Sequence, residues 1–356
     1  VASDGGPADG PSTHPVISSD DRYVAFESTA DDIVPGVSGH QVYVRSLQTN
    51  APTQLVSAAS CNGGTVTGGN GDSTGPRISD DGSTVAFTST STDFGSDPGN
   101  GAPNAYVATT AACTVPTFVG VDTSGRVVAG GTVATSVDSD GTTVAYDPNG
   151  TSGVYVRDLT ADVTHAVDAG DPYATGGTLS GDGLTVGIQA SGPAPSTSPV
   201  AAVYRVPTGA RLATSTDASG TVRAIVPGTT VFMTRWSQYF AYVAAGPSSV
   251  PQVYEQTMTP IPVVSSVSPS SVARGSSGVT LIVSGSRFVS GAYAMISSPG
   301  VTLGATTYVN STTLRVPVTV APDASTGAIT LTVVNPGALG ASYGSAGTCG
   351  GCLTIT

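Results

Sequence analysis

Apolar and polar residues alternate along this chain in short runs of period two, bounded by turns rich in Asp, Gly, Ser and Asn, and no stretch shows the spacing of an amphipathic helix. One pattern recurs. A polar turn precedes a short apolar strand, a variable loop follows, and then comes a strand centred on Tyr. The clearest copies run from Ile17 to Phe26, Ile78 to Phe87 and Val137 to Tyr146, with a weaker one from Leu179 to Ile188. Asp caps its own turn and Gly accepts positive φ, so each copy predicts a hairpin.

The Tyr-centred strands hold Tyr43, Tyr106, Tyr155, Tyr204 and Tyr254, spaced 63, 49, 49 and 50 residues apart. Several short strands per unit at such a period predict a β-propeller of four-stranded blades, because one blade cannot shield both of its apolar faces. Five blades are expected, with six as the alternative. The N-terminal Val1-Ala2-Ser3 resembles the end of a unit, so the N-terminal strand is expected to complete the last blade and remove two edges. Near Pro260 the composition changes to a Pro-marked linker. The alternating runs beyond it predict a small immunoglobulin-like β-sandwich. The all-β chain is therefore divided into a propeller at 1–258 and a sandwich at 259–356.

Composition narrows the function. All 12 basic residues are Arg, set singly against 24 acidic residues, and a net charge of −12 argues against binding nucleic acid or an anionic membrane. No apolar run is long enough to form a membrane-spanning helix. Surfaces rich in Ser, Thr and Gly, together with four cysteines, predict an extracellular or cell-surface protein, exported through a signal peptide that is not among these residues.

Two resemblances rest on particular blocks. Pro15 to Ser28 and Val42 to Leu47, repeated in Pro76 to Ser89 and Val154 to Leu159, resemble the WD40-like, TolB-type propeller repeat of secreted bacterial proteins. Pro262 to Ser271 and Val279 to Phe288, with Asn335-Pro336-Gly337, resemble an IPT/TIG immunoglobulin-like module. Both resemblances imply surface or envelope proteins acting as interaction platforms or spacers, and neither implies one chemistry.

Chemistry-bearing residues are few. Asp138 and Asp140 are candidate ligands of a structural calcium ion, against the simpler reading of Asp-capped turns, since no further oxygen donors stand at the required spacing. His14, His40 and His165 occupy non-equivalent repeat positions with no second His or Cys at metal-ligand spacing, so no zinc site is expected. The only two glutamates, Glu27 and Glu255, make a weak glycosidase pair. Cys61 and Cys113 fall where neighbouring blades would bring them together. Cys349 and Cys352 are spaced for a tight second disulfide fastening the terminal strand. Asn149 and Asn310 match the N-glycosylation pattern. Trp236, Tyr239, Phe240 and Tyr242 form the one aromatic cluster, either a blade strand or a ligand surface.

These features predict a noncatalytic, exported structural or adhesive protein that associates with a protein partner or with itself, as a subunit of an extracellular filament or surface layer. The alternatives are a carbohydrate-binding or protein-binding module, favoured by an exposed Trp236 cluster, and a secreted hydrolase, which requires converging catalytic groups. No cofactor is expected apart from the candidate calcium.

Overall fold

A computed structural model describes residues 2–3, 5–48, 52–62, 65–111, 113–168, 170–192, 198–216, 221–234, 239–246, 250–257, 261–335 and 345–356. No helix occurs among them, so the chain is all-β. Two compact units divide after Gln256, and each has a core of its own.

The first unit is a succession of antiparallel meanders. Sheet one comprises β1 (Ser12–Ile17), β2 (Tyr23–Ser28), β3 (Gln41–Ser46) and β4 (Gln54–Leu55) in that order. A small hairpin, β5 (Ala58–Asn62) with β6 (Thr65–Gly68), follows it. Sheet two is β7 (Ser73–Ile78), β8 (Thr84–Ser89), β9 (Asn104–Thr109) and β10 (Thr117–Phe118). Sheet three is β11 (Thr132–Val137), β12 (Thr143–Pro148), β13 (Val154–Asp158) and β14 (Val163–Val167). Sheet four is β15 (Thr175–Leu179), β16 (Thr185–Ser191), β17 (Pro199–Arg205) and β18 (Ala210–Thr214). Sheet five has three described strands, β19 (Phe232–Met233), β20 (Tyr239–Ala245) and β21 (Pro251–Thr257).

The sheets pack face to face, which explains why their second strands read as continuous apolar runs. Val85, Phe87 and Tyr106 of sheet two meet Ala25, Val42 and Val44 of sheet one. The opposite face, Ala86, Ala105 and Val107, meets Val144 and Tyr146 of sheet three. Ala145, Val154 and Val156 then meet Val186, Ile188 and Val200 of sheet four. Every residue of β8 and of β12 is consequently buried. Burying apolar surface on both sides supplies the driving force that a lone sheet lacks. The turn from first to second strand also fixes the close approach. Gly82 and Gly141 have φ of 71° and 73°, and a Cβ at either would collide with Tyr23 or Thr84 of the preceding sheet.

All five ruler tyrosines lie on the third strand of their sheets. In sheets one to three the tyrosine pairs with the second-strand aromatic, as Phe26 with Tyr43, Phe87 with Tyr106 and Tyr146 with Tyr155. Sheet four slips: Tyr204 pairs with Val186, two residues before the equivalent Ile188, and its ring lies under the Arg211 guanidinium at 5.1 Å. The expected N-terminal closing strand is not found among the described residues. Ala2 N–H donates to Gly6 O and Ser3 N–H to Asp32 O, so this stretch lies along sheet one's own loop. A segment running from Gly5 to Pro11 through two prolines and three glycines has no alternating side chains to set a strand register.

The second unit has two sheets. One contains β22 (Val263–Ser268), β24 (Val279–Ser286), β26 (Val301–Leu303), β27 (Thr307–Asn310) and β28 (Thr313–Val320). The other contains β23 (Ser271–Val272), β25 (Tyr293–Ile296), β29 (Gly327–Asn335) and β30 (Ser345–Ile355). Leu281, Val283, Leu314 and Val316 of the first pack with Leu331, Val333, Leu353 and Ile355 of the second in one core. Strict alternation along β28, with Leu314, Val316, Val318 and Val320 inward, sets that face.

Candidate functional site

The turn between first and second strands is built alike in three sheets. Ser18, Ser79 and Ser180 donate their hydroxyls to Asp20, Asp81 and Asp182 at 2.6, 2.7 and 2.6 Å. Each serine oxygen also accepts the N–H of the residue opening the next strand, Tyr23, Thr84 or Thr185. Sheet three puts Asp138 where the others have Ser. Asp138 accepts Thr143 N–H at 3.0 Å, and the Thr142 hydroxyl lies 2.7 Å from Asp140 and 3.3 Å from Asp138. Burial, joined by the Asp140 charge, pushes Asp138 up to about 6 despite the Thr143 hydrogen bond. Asp138 and Asp140 thus cap a turn, and among the described residues they belong to no group of three His, Cys, Asp or Glu arranged as a metal site.

A second row of polar side chains joins each sheet to the next. Glu27, Thr88, Asp147 and Gln189 occupy the same position on successive second strands. They accept backbone N–H groups from Gly75 at 2.7 Å, Ala134 at 3.0 Å, Gly176 at 2.6 Å and Gly228 at 3.3 Å. In sheets two and four the donor sits in the bulge that interrupts the first strand, and in sheet three Ala134 borders it. A bulge turns one N–H out of its own ladder, and the preceding sheet satisfies it. Asp147 also accepts the Thr175 hydroxyl at 2.7 Å, and its other oxygen, Oδ1, is buried without a hydrogen-bond partner. Burial raises the Asp147 pKa, against the hydrogen bonds from Gly176 and Thr175.

Glu27 is the most elaborated member. It is almost fully buried, and its Oε1 receives the Thr13 hydroxyl at 3.1 Å and faces His14 Nδ1 at 2.8 Å and His40 Nε2 at 3.5 Å. Burial alone would raise its pKa, but the bonds from Gly75 N–H, Thr13 and His14 outweigh it and leave the pKa lowered. Two of the chain's three histidines and one of its two glutamates therefore meet at one point. Sequence spacing concealed this, because the three residues come from a bulge, a second strand and the residue before a third strand. The repeat alignment held the signal: His14 stands where sheets two and four have Gly75 and Gly176.

The remaining candidates fall apart from this site. Cys61 and Cys113 are disulfide-bonded, joining β5 to the segment after β9. Cys349 and Cys352 are not, so the expected second bridge is corrected: both are thiols. Between the pairs Leu331 with Cys349 and Ile329 with Leu353, β30 bulges outward through Gly350, Gly351 and Cys352. There the Cys352 thiol donates to the Cys349 carbonyl at 3.3 Å. Burial and the neighbouring thiol push Cys352 up to about 12, which makes it a poor nucleophile. Phe240 and Tyr242 are buried and stack at 5.7 Å, with Tyr254 continuing the stack at 5.8 Å, so these two belong to the sheet core and not to a ligand surface. Tyr239 is exposed, whereas Trp236 lies outside the described residues. Asn149 and Asn310 are exposed at turns; Asn149 donates to Gly130 O and Asn310 caps Thr312 N–H.

No family model matches the sequence, and no curated protein matches it. Solved structures similar to the chain include β-propeller domains. TolB from Acinetobacter baumannii is 17% identical with a TM-score of 0.41, over 70% of this chain and 52% of that one. A putative TolB from Agrobacterium tumefaciens is 15% identical with a TM-score of 0.41, over 70% and 77%. The β-propeller domain of the trilobed protease from Pyrococcus furiosus is 10% identical with a TM-score of 0.43, over 78% and 79%. The chain thus spans about half the length of the Acinetobacter protein. No helix among the described residues is long and apolar enough to cross a membrane.

Proposed function

We propose that this chain is an exported, noncatalytic scaffold of the cell envelope or surface. In this reading the first unit is a five-bladed propeller and the second an immunoglobulin-like module of IPT/TIG type, and copies of the chain join through a sheet edge. The observation that carries the assembly step is β21. It is the outer strand of a sheet with three described strands where the preceding four sheets have four, and its Val253 is 75% exposed. A sheet edge with no further strand paired to it among the described residues is a template for another strand. The Cys61–Cys113 disulfide supports export, since such bonds persist in oxidising compartments. The polar residues at the sheet junctions support a scaffold role, because Glu27, Thr88, Asp147 and Gln189 are engaged in holding neighbouring sheets together.

Light scattering and negative-stain microscopy of the purified chain across a concentration series test this reading. Ordered assemblies that vanish in a Val253→Lys variant are expected. A wild-type chain that stays monomeric at every concentration and salt overturns the assembly step.

A further inference from the structure

We propose that the first unit stacks head to tail with a second copy of the chain, sheet five of one copy seating on sheet one of the next. The repeat itself shows the fit. Sheets two and three each pack one face on the preceding sheet and the other on the following one. Gly187 of sheet four lies against Val231 and Met233 of sheet five in the same way. Sheet one has no predecessor and sheet five no successor, and the exposure of their side chains records it. The first strand ends on Ile78, Val137 and Leu179 in sheets two to four, each packed in the core shared with the preceding sheet. Leu179 is 6% exposed, whereas Ile17, the same residue of sheet one, is 60% exposed. Val24 and Phe26 are half-buried, while Val85, Phe87, Val144 and Tyr146 at their positions are fully buried.

The opposite face of sheet five shows the complementary deficit. The residue before the ruler tyrosine is Val42, Ala105 or Val154 in sheets one to three, at most 1% exposed beneath the following sheet, and Val253 in sheet five, 75% exposed. Ala25, Ala86 and Ala145 are fully buried, but Ala241 is half-buried and Phe232, which pairs with it, is exposed. Size and charge both match across the proposed contact. At the junction of sheets one and two, Phe87 and Tyr106 pack on the smaller Ala25, Val42 and Val44. Stacking sets Ile17, Val24 and Phe26 on Ala241 and Val253 in the same manner, removing apolar surface from water. Val44 and Ala108 also meet at that junction. Their counterparts on the two uncovered faces are Glu255, exposed, and Arg45, half-buried, so the contact continues the interface of the repeat with an added pair of opposite charges. The two faces differ, so the contact propagates instead of closing on itself. It includes Val253 and therefore rests on the self-association read from β21, and it names the surface of the second copy that receives that strand's sheet.

Sedimentation velocity of the full chain and of two surface variants tests the stacking. Val253→Lys blocks the face of sheet five and leaves sheet one intact, and Ile17→Glu does the converse. Both positions are exposed, so both variants should melt at the parent's temperature. The parent should sediment as assemblies that grow with concentration, and each variant alone as a monomer. An equimolar mixture of the two variants should give dimers and nothing larger, because each supplies the one face that the other lacks. Met295→Glu, at an exposed position of the second unit, should assemble as the parent does. If Ile17→Glu assembles like the parent, sheet one is not the seat and the stacking is overturned, while the edge of β21 stands as a contact. A mixture that stays monomeric overturns the stacking as well. A parent that is monomeric at every concentration overturns both the stacking and the self-association on which it rests.

Discussion

A carboxyl that takes the place of a hydroxyl must bring its own proton if it is to donate a hydrogen bond. Ser18, Ser79 and Ser180 donate to the aspartate two residues on, and Asp138 inherits that role beside Asp140. With its pKa raised from 3.8 to about 6, Asp138 holds a proton in the folded chain over a range where the unfolded chain has lost it. Folding then takes up protons, so stability falls as pH rises from about 4 to about 6 and stays lower above that window. A shift of this size corresponds to at most about 3 kcal/mol. Asp147, also raised by burial, adds to the same trend, whereas the lowered Glu27, Asp81 and Asp171 oppose it by losing stability as pH falls. Asp138→Ser restores the residue of the other sheets. Urea unfolding across this range should show a flatter pH profile for the variant and a gain at neutral pH. Identical slopes for variant and parent would show that Asp138 titrates as it does in the unfolded chain.

At the level of strands, the repeating junction was legible only in part. Alternation and the Asp-Gly turns predict each hairpin because φ preferences and side-chain period are local properties of the chain, and the tyrosine ruler marks every third strand. The bulge-to-side-chain bond is different. Glu27, Thr88, Asp147 and Gln189 share no chemistry beyond an accepting oxygen, so composition does not single them out, and their donors lie 29 to 48 residues away. The same reason hid the meeting of His14, Glu27 and His40. Phe240 and Tyr242 are the reverse case: an aromatic cluster has the same sequence signature whether it faces a neighbouring sheet or solvent, and only packing decides. Thr88→Val tests the junction directly, since valine keeps the shape and the β preference while removing the acceptor of Ala134 N–H. An unpaired buried N–H costs about 1 to 3 kcal/mol, so the urea midpoint should drop accordingly with little change in slope. An unchanged midpoint would mean that the bulge N–H finds another partner at no cost.

For the molecule as a whole, each of the two units has a core of its own. Every residue of the second core, from Val264 to Ile355, comes from the second unit. That unit also ties its own start to its end, through the parallel pairing of Ser271 and Val272 with Thr354 and Ile355 and the bond from Arg274 N–H to Thr356 O. A domain of about 100 residues with one continuous core is large enough to fold alone. A fragment spanning 257–356 should therefore unfold cooperatively, with an enthalpy of about 70 kcal/mol. Calorimetry of the full chain should contain a transition at the fragment's temperature, with a second one from the first unit. Deleting residues 350–356 removes Leu353 and Ile355, both fully buried, and breaks the tie between the ends, so the shortened fragment should lose its near-ultraviolet circular dichroism. If the fragment 257–356 itself lacks a cooperative transition, its core depends on the first unit in a way that its packing does not explain. Should it fold while the full chain melts in a single step at the same heating rate, the units are coupled across residues 257–262 instead, and shortening or lengthening that linker would split the transition.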